Sequence, residues 1–431
     1  MDLCLRAKTE QGLTDGELRE ALLSFCGAHP AKKVLILPPD FTRYHSKAGF
    51  ITNVCYHYYA DQGAVVDILP TLGTHRAMTE AEAADMCGDI PLERFIVHNW
   101  RTEVEKIGEV PGEFISGITE GLWTEPIGVE VNRRIMDESY DLILSPGQVV
   151  PHEVIGMANH SKNVFVGAGG AEMINKSHMV GAVFGMERMM GRDHTPVREI
   201  FDYALSHFLA ERPIIFLLTV TTAPGGQIHT HGLFAGRERD VLEAAIALAQ
   251  KKNIDFVPHG LKKCVVYLDP SEFHSTWLGN KAVYRTRMAV ANGGELLILA
   301  PGVETFGEDG AVDQLIRKYG YCGRTKVLEL FRSPECDDLR ANMGAAAHLI
   351  HGSSDGRFTV TYAVQPEMRE QIESVHFRSA DVNEMMKRYD PQKLKYGYNT
   401  MPDGEEIFFV PNPALGLWID KERFDREGGA L

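Results

Sequence analysis

The chain has no pair of cysteines at C-x-x-C spacing. Its seven cysteines (Cys4, Cys26, Cys55, Cys87, Cys264, Cys322 and Cys336) are odd in number and scattered. Neither a disulfide framework nor a cysteine zinc site is expected from them. Long apolar runs are missing too: stretches such as Ile214 to Val220 fall far short of the roughly 20 residues that span a bilayer. Basic residues are outnumbered, 44 Lys and Arg against 59 Asp and Glu, for a formal charge of −15. Such a surface repels phosphate backbones and anionic lipid, so no nucleic-acid or membrane partner is expected. An anionic small molecule needs only a local basic pocket. The opening MDLCLRAKTEQ carries no apolar stretch behind its basic residues, so no secretory signal is expected, and the reducing cytoplasm is the expected compartment.

What is present is an ordinary globular composition, 431 residues with 44% hydrophobic positions, enough to bury a large core without staples. Short β-rich runs end in Gly, Pro or Asp and lead into amphipathic stretches. Val34 to Leu37 runs into Pro38-Pro39-Asp40, Ala64 to Leu69 into Gly73-Thr74-His75-Arg76, Phe95 to Val97 into His98, and Leu142 to Leu144 into Ser145-Pro146-Gly147. Continuous apolar strands alternating with helical pattern predict an α/β fold, two α/β domains with mostly parallel sheets and an active site in the cleft between them. The helical VLEAAIALAQKK (Val241 to Lys252) precedes new strands at Cys264 and at Glu295 to Leu299, which places a boundary near 258–263. The expected domains are 1–260 together with a returning tail at about 401–431, and a smaller domain over 264–400. The tail segment Glu405 to Trp418 is too apolar to hang free.

The densest polar-in-apolar segment is 145–181, where His152, His160, Lys162, Lys176 and His178 lie among glycines and small apolar residues. Such surroundings permit close backbone approach to a ligand and depress a lysine pKa, leaving a neutral amine as nucleophile; the competing reading is a solvated loop. Gly73-Thr74-His75-Arg76 after a strand forms either a phosphate cradle of backbone N–H groups and Arg76, or an ordinary turn. The run from Gly167 to Glu172 lacks the third glycine of a dinucleotide fingerprint. His229 and His231 share a strand face but lack a nearby carboxylate or cysteine, which favours a structural or substrate-gating role over a zinc site.

The ordered set of Asp40-Phe41-Thr42-Arg43, Gly73-Thr74-His75-Arg76, His98, Pro151-His152, then Lys162 ten positions on and His178 sixteen beyond that, resembles the lactate racemase family. Those are nickel-pincer nucleotide enzymes that racemise or epimerise 2-hydroxy acids. The likeness runs from about residue 35 to 310. It implies that Lys162 carries the nickel pyridinium mononucleotide covalently, that His178 is the protein ligand to nickel, and that His98 and His152 are alternate bases on opposite faces of the substrate. It further implies that Asp40 lies at the same site with Arg43 on the substrate carboxylate, that the loop Gly73, Thr74, His75 and Arg76 helps bind the cofactor, and that cofactor-assembly enzymes are partners. The domain 1–260 then holds the cofactor, and 264–400 closes over the substrate.

The implied chemistry is coherent. The hydrogen on carbon 2 of a hydroxy acid is a poor acid, so it leaves as hydride to a cofactor electrophile while a histidine takes the hydroxyl proton. Returning the hydride to the other face of the keto acid inverts the centre. The chain departs from the lactate pattern in three places. The family's His-x-x-x-Gly-x-Ser-Gly-Gly-x-Lys reads HEVIGMANHSK here, without the double glycine. The family's Tyr-Gln-x-x-Lys reads Tyr284-Arg285-Thr286-Arg287-Met288, and an aromatic is missing around Met343. A substrate larger or more polar than lactate follows, contacted by Tyr284 and chiefly Arg285: a sugar acid such as an aldonate first, a dicarboxylate such as malate next. The rivals are an NAD-type dehydrogenase, which needs a glycine fingerprint not found here, and a non-catalytic ligand-binding relative, which has no use for two bases and a cofactor lysine.

Overall fold

The computed structural model of the protein describes residues 1–414 and 416–427. It is a mixed α/β structure in two compact units, Met1–Ser177 with Met190–Asn253, and His178–Met189 with Ile254 onward. The first unit contains β1 (Leu3–Arg6), β2 (Lys33–Ile36), β3 (Val65–Ile68), β4 (Val104–Val110), β5 (Ile127–Asn132), β6 (Leu142–Gln148), β7 (Pro151–His152), β8 (Gly156–Met157), β9 (Ile214–Thr222) and β10 (His229–Gly236). Six of these form one sheet in the order β1-β10-β9-β6-β2-β3. From β9 to β3 the strands are parallel; β10 pairs antiparallel with β9, and β1 antiparallel with β10. Val34 to Leu37 and Ile143 to Leu144 are wholly buried, as continuous apolar strands covered on both faces must be. Helix Asp15–Ala28 starts in a capping box made by Thr14 and Glu17, and helix Glu80–Cys87 in one made by Thr79 and Glu82, each satisfying orphan N–H groups of the first turn. Strands β4 and β5 form an antiparallel ribbon, and β7 and β8 a two-residue hairpin.

Two strand limits differ from the sequence reading. Of Phe95 to Val97, Phe95 alone bridges, in parallel, to Ile68. Strand β6 continues through Ser145-Pro146-Gly147 to Gln148. Its pairing with β2 stops at Leu144 while its pairing with β9 goes on. A proline two residues later therefore falls where one edge is already open, and its missing N–H breaks no ladder there.

The second unit contains β11 (Asp255–Val257), β12 (Leu261–Tyr267), β13 (Val290–Leu299), β14 (Thr359–Val364), β15 (Arg378–Asp381), β16 (Gly397–Thr400), β17 (Glu406–Val410) and β18 (Trp418–Asp420). Its sheet has the order β15-β14-β13-β12-β17-β16, parallel except for β16. The tail does not return to the first unit. The apolar run Ile407 to Val410 becomes an internal strand that hydrogen-bonds β12 on one side and β16 on the other, and β18 pairs with β11. An IFFV strand needs both faces covered, and an internal position beside β12 provides that. Residues 415 and 428–431 of the expected tail lie outside the described residues. The segment His178–Met189 also counts with the second unit, an excursion that the single expected boundary near 258–263 did not anticipate.

Candidate active site

In the first sheet β2 lies between β3 and β6, so the chain leaves β2 to one side and later fills the other. The carboxyl ends of β2 and β6 flank this switch point, where open α/β sheets collect ligands. Asn163 is anchored there. Its Nδ2 donates to the Leu37 carbonyl after β2 (2.9 Å) and to Ser145 Oγ on β6 (2.8 Å), while its Oδ1 accepts from Thr71 Oγ1 beyond β3 (2.7 Å). Lys162 immediately precedes it, at the start of a π-helical turn over Asn163–Gly167. Burial pushes the Lys162 amine down to about 8; Arg43 and Arg198 push the same way, and Glu153 and Asp40 oppose them. Roughly a tenth of this amine is therefore neutral at pH 7, far more than for an ordinary lysine.

Asp40 caps the short helix Phe41–Ser46 by accepting from the Thr42 N–H (2.9 Å), and it also accepts from Thr42 Oγ1. Its other oxygen pairs with His75 Nδ1 at 2.5 Å. These contacts join the loops after β2 and β3, and they hold the Asp40 carboxyl below its ordinary range although its burial opposes the shift. Arg43 is exposed on this short helix. The structure does not arrange Gly73-Thr74-His75-Arg76 as an anion cradle. Gly73 N–H donates to the Gly167 carbonyl (2.8 Å) and His75 N–H to that of Leu72 (2.9 Å). Arg76 makes a forked pair with Glu82 (2.5 and 2.9 Å), the residue that closes the capping box of the next helix. Two of the loop's N–H groups and its guanidinium are committed before any anion arrives.

His98 is buried, 4% exposed, and both ring nitrogens have partners. Asn132 Nδ2 donates to Nδ1 at 3.0 Å, and Nε2 lies 3.1 Å from the Gly169 carbonyl. Asn132 Oδ1 accepts from the Arg134 N–H, which fixes the amide's orientation and so assigns the imidazole proton to Nε2. Burial lowers the His98 pKa, partly offset by the Gly169 contact, so the ring is neutral at neutral pH. His152 lies on the β7–β8 hairpin, where the Val154 N–H donates to its Nδ1 (3.1 Å). Glu153 stands 4.0 Å from that nitrogen.

The second unit holds the remaining expected residues. His178 lies on helix Ala171–Phe184, half-buried. Tyr284 and Arg285 lie on the short helix Lys281–Thr286, also half-buried. Arg287 is not a substrate cation in waiting. It is 1% exposed and points inward, its Nε 2.8 Å from Glu187, with Asp355 at 3.4 Å and the His351 carbonyl at 3.1 Å.

His160 is buried, its Nε2 3.2 Å from the Arg237 carbonyl, and burial drives its pKa well down. His229 and His231 have structural partners, the Glu10 carbonyl (3.1 Å) and Thr222 Oγ1 (2.8 Å). Asp193, His194 and Glu243 bring ligand atoms within 4.8 Å of one another, but Arg239 forms ion pairs with Asp193 and Glu243 and supplies that cluster's cation. The sequence reading missed Asn132, Asn163 and Arg198. Asn163 carried a signal in its adjacency to Lys162; Asn132 and Arg198 carried none, being placed by contacts 34 and 39 residues away in the chain.

Residues 23–190 match the family model described as the lactate racemase N-terminal domain. Over that segment, about two fifths of the chain, this α/β protein is similar to the lactate racemase N-terminal domain. A solved structure of a protein from Thermotoga maritima superposes with a TM-score of 0.75 at 22% identity, covering 96% of this chain and 99% of that one. The lactate racemase apoprotein from Thermoanaerobacterium thermosaccharolyticum superposes with a TM-score of 0.65 at 16% identity, covering 94% and 89%. At these identities the two show a shared fold. No curated protein matches the chain. Among the described residues no helix is long and apolar enough to cross a membrane.

Proposed function

We propose that the protein is an isomerase, a racemase or epimerase of a 2-hydroxycarboxylic acid, working in the cytoplasm with a nickel-pincer nucleotide on Lys162. The observation that carries this reading is the buried Lys162, next to Asn163 at the switch point of the sheet, its amine pKa pushed down to about 8, in a chain whose residues 23–190 match the lactate racemase N-terminal domain. The donor set suits covalent attachment: a partly neutral amine is a nucleophile that can be acylated, and His178 is an imidazole of the kind nickel accepts. The loop at Gly73, Thr74, His75 and Arg76 suits the cofactor's phosphate only after rearrangement, because its groups already have partners. When bound, the cofactor supplies an electrophile for hydride.

The chain's own residues supply the rest. Arg43, beside Asp40, offers a guanidinium to the substrate carboxylate. His98 and His152 exchange the hydroxyl proton, each serving as base for one isomer. A hydroxyl that reaches His98 Nδ1 displaces the Asn132 amide, which restrains the ring until substrate arrives. Arg285 and Tyr284 of the second unit select a substrate larger or more polar than lactate, an aldonate-like sugar acid ahead of a dicarboxylate.

Protein made alongside the cofactor-assembly enzymes should show an intact-mass adduct. Lys162→Ala should lack it, and His178→Ala should keep it with less nickel. An adduct and turnover in Lys162→Ala would overturn the assignment. In a panel of lactate, malate and gluconate-type acids, a highest kcat/KM for lactate together with an unchanged ranking in Arg285→Gln would refute the substrate reading.

A further inference from the structure

In this chain Asn159 and His160 occupy the positions of the double glycine before the lysine, and both adopt left-handed backbone, with φ of 72° and 57°. That conformation favours glycine and is disfavoured for other residues, so the turn has to be held from outside. Asn159 contributes locally: its Oδ1 accepts from the His160 N–H (2.7 Å), and its amide packs against Gly147 so closely that a Cβ there would lie 1.9 Å from Nδ2. His160 packs its ring on Phe216, centroids 3.8 Å apart. The main restraint comes from helix Pro196–Phe208, capped by Thr195, whose Oγ1 also donates to the Ile155 carbonyl (2.8 Å).

On that helix Arg198 is 1% exposed. Its Nη2 donates to the Met157 carbonyl (2.7 Å) and the Asn159 carbonyl (3.2 Å), and its Nη1 to the Asn159 carbonyl (3.2 Å) and Ser161 Oγ (2.8 Å). Ser161 in turn donates to Asp202 Oδ1 (2.9 Å). A buried guanidinium is costly, and here it grips three residues of one loop, the last of them adjacent to Lys162. We propose that Arg198 is a positioning residue for Lys162, replacing the flexibility of a double glycine with a rigid, charged clamp that fixes where the lysine amine stands. Arg198 remains charged at neutral pH, since burial lowers its pKa only to about 10, and its field is among those that keep the Lys162 amine partly neutral. The proposal rests on the reading of Lys162 as the attachment residue.

The test uses the full-length, cofactor-free chain, so it does not depend on loading or turnover. Acetic anhydride pulses across pH 6–11, read peptide by peptide by mass spectrometry, give the titration midpoint of each lysine, with exposed Lys106 as the internal control. Hydrogen exchange reports on residues 157–163. In Arg198→Met the Lys162 midpoint should rise toward the ordinary lysine value near 10.4, exchange at 157–163 should quicken, and Lys106 should not move. Arg198→Lys, which keeps the charge but not the planar fork, should fall between wild type and the methionine variant. A Lys162 midpoint unmoved in Arg198→Met overturns the proposal whether or not exchange quickens. If that variant fails to fold, Ser161→Ala removes one contact and keeps the charge. It should quicken exchange at 157–163, and unchanged exchange there would overturn the proposal. Failure here leaves the mass-adduct test of Lys162 untouched, and the reverse also holds.

Discussion

Replacing Glu187 with glutamine separates an internal ion cluster from a substrate site. Glu187 Oε1 accepts from Arg287 Nε (2.8 Å) and from Arg357 Nη1 (2.6 Å). Burial alone would raise this carboxyl, but the two guanidiniums overcome it and bring the pKa from 4.5 to about 2. Because the folded pKa lies below the unfolded one, the carboxylate stabilises the fold fully above about pH 4.5, and that contribution fades as pH falls toward 2. At about 1.4 kcal/mol per unit the difference is worth about 3 kcal/mol at pH 7 and about 2 kcal/mol at pH 3.5. An independent upper bound exists: removing one partner of a buried pair typically costs about 3–5 kcal/mol, and less here because Asp355 remains 3.4 Å from Arg287. Urea unfolding of Glu187→Gln should therefore show a loss of about 3 kcal/mol at pH 7, and the gap to wild type should narrow by about 1 kcal/mol at pH 3.5. A loss under about 0.5 kcal/mol, within the usual range for surface changes, or a gap that widens with acid, would refute the reasoning and return Arg287 to the list of cations available to substrate.

Removing either proposed base, as His98→Asn or His152→Asn, should cost on the order of 10²–10⁴ in rate in both directions of the reaction, and full activity in either variant would sink the pairing. His348 is stacked on Trp277 at 4.0 Å with Tyr321 Oη 3.1 Å from its Nε2, and burial pushes its pKa down to about 3. A histidine depressed in the fold stabilises above the unfolded value near 6.5 and loses that contribution as pH falls. Chemical denaturation of His348→Gln should accordingly gain about 2–3 kcal/mol relative to wild type between pH 7 and pH 4.5; parallel curves would show that the ring is not forced neutral.

Strand β2 was legible because a parallel strand buried on both faces is apolar throughout, and Val34 to Leu37 has no other use; β3 and β12 carried shorter apolar runs beside Asp67 and beside Lys262 and Lys263. Helix Glu80–Cys87 was legible because its pattern is local, and its cap and acidic first turn lie within a few residues. What escaped depends on distant partners. Phe95 to Val97 has the composition of a strand but finds only Ile68 to pair with. The tail was read as apolar, yet nothing local says which sheet edge it will fill. In the candidate site, Lys162, His98 and His152 were visible as types and spacings. Asn132 and Arg198 were not, since a ring's tautomer and a clamp on a turn are set by carbonyls and amides dozens of residues away. The commitment of Arg76 to Glu82 shows the converse, a loop that resembles an anion site by composition while its groups complete a helix cap.

The π-helical turn after Lys162 has a consequence for how this region tolerates change. Over Asn163–Gly167 the chain fits one more residue into a turn than an α-helix would, and Ala168 N–H is shared between the carbonyls of Asn163 (3.1 Å) and Val164 (3.2 Å). Each residue of an ordinary helix advances the chain by about 100°. Deleting one residue between 163 and 167 would therefore leave a regular helical turn of normal length with Lys162 and Ala168 in about the same relative direction, because the wide turn already spreads one rotation over the extra residue. Loss of one residue here would be silent both in the fold and at the lysine, whereas one residue lost from an ordinary helical turn would swing the residues before it by about 100°.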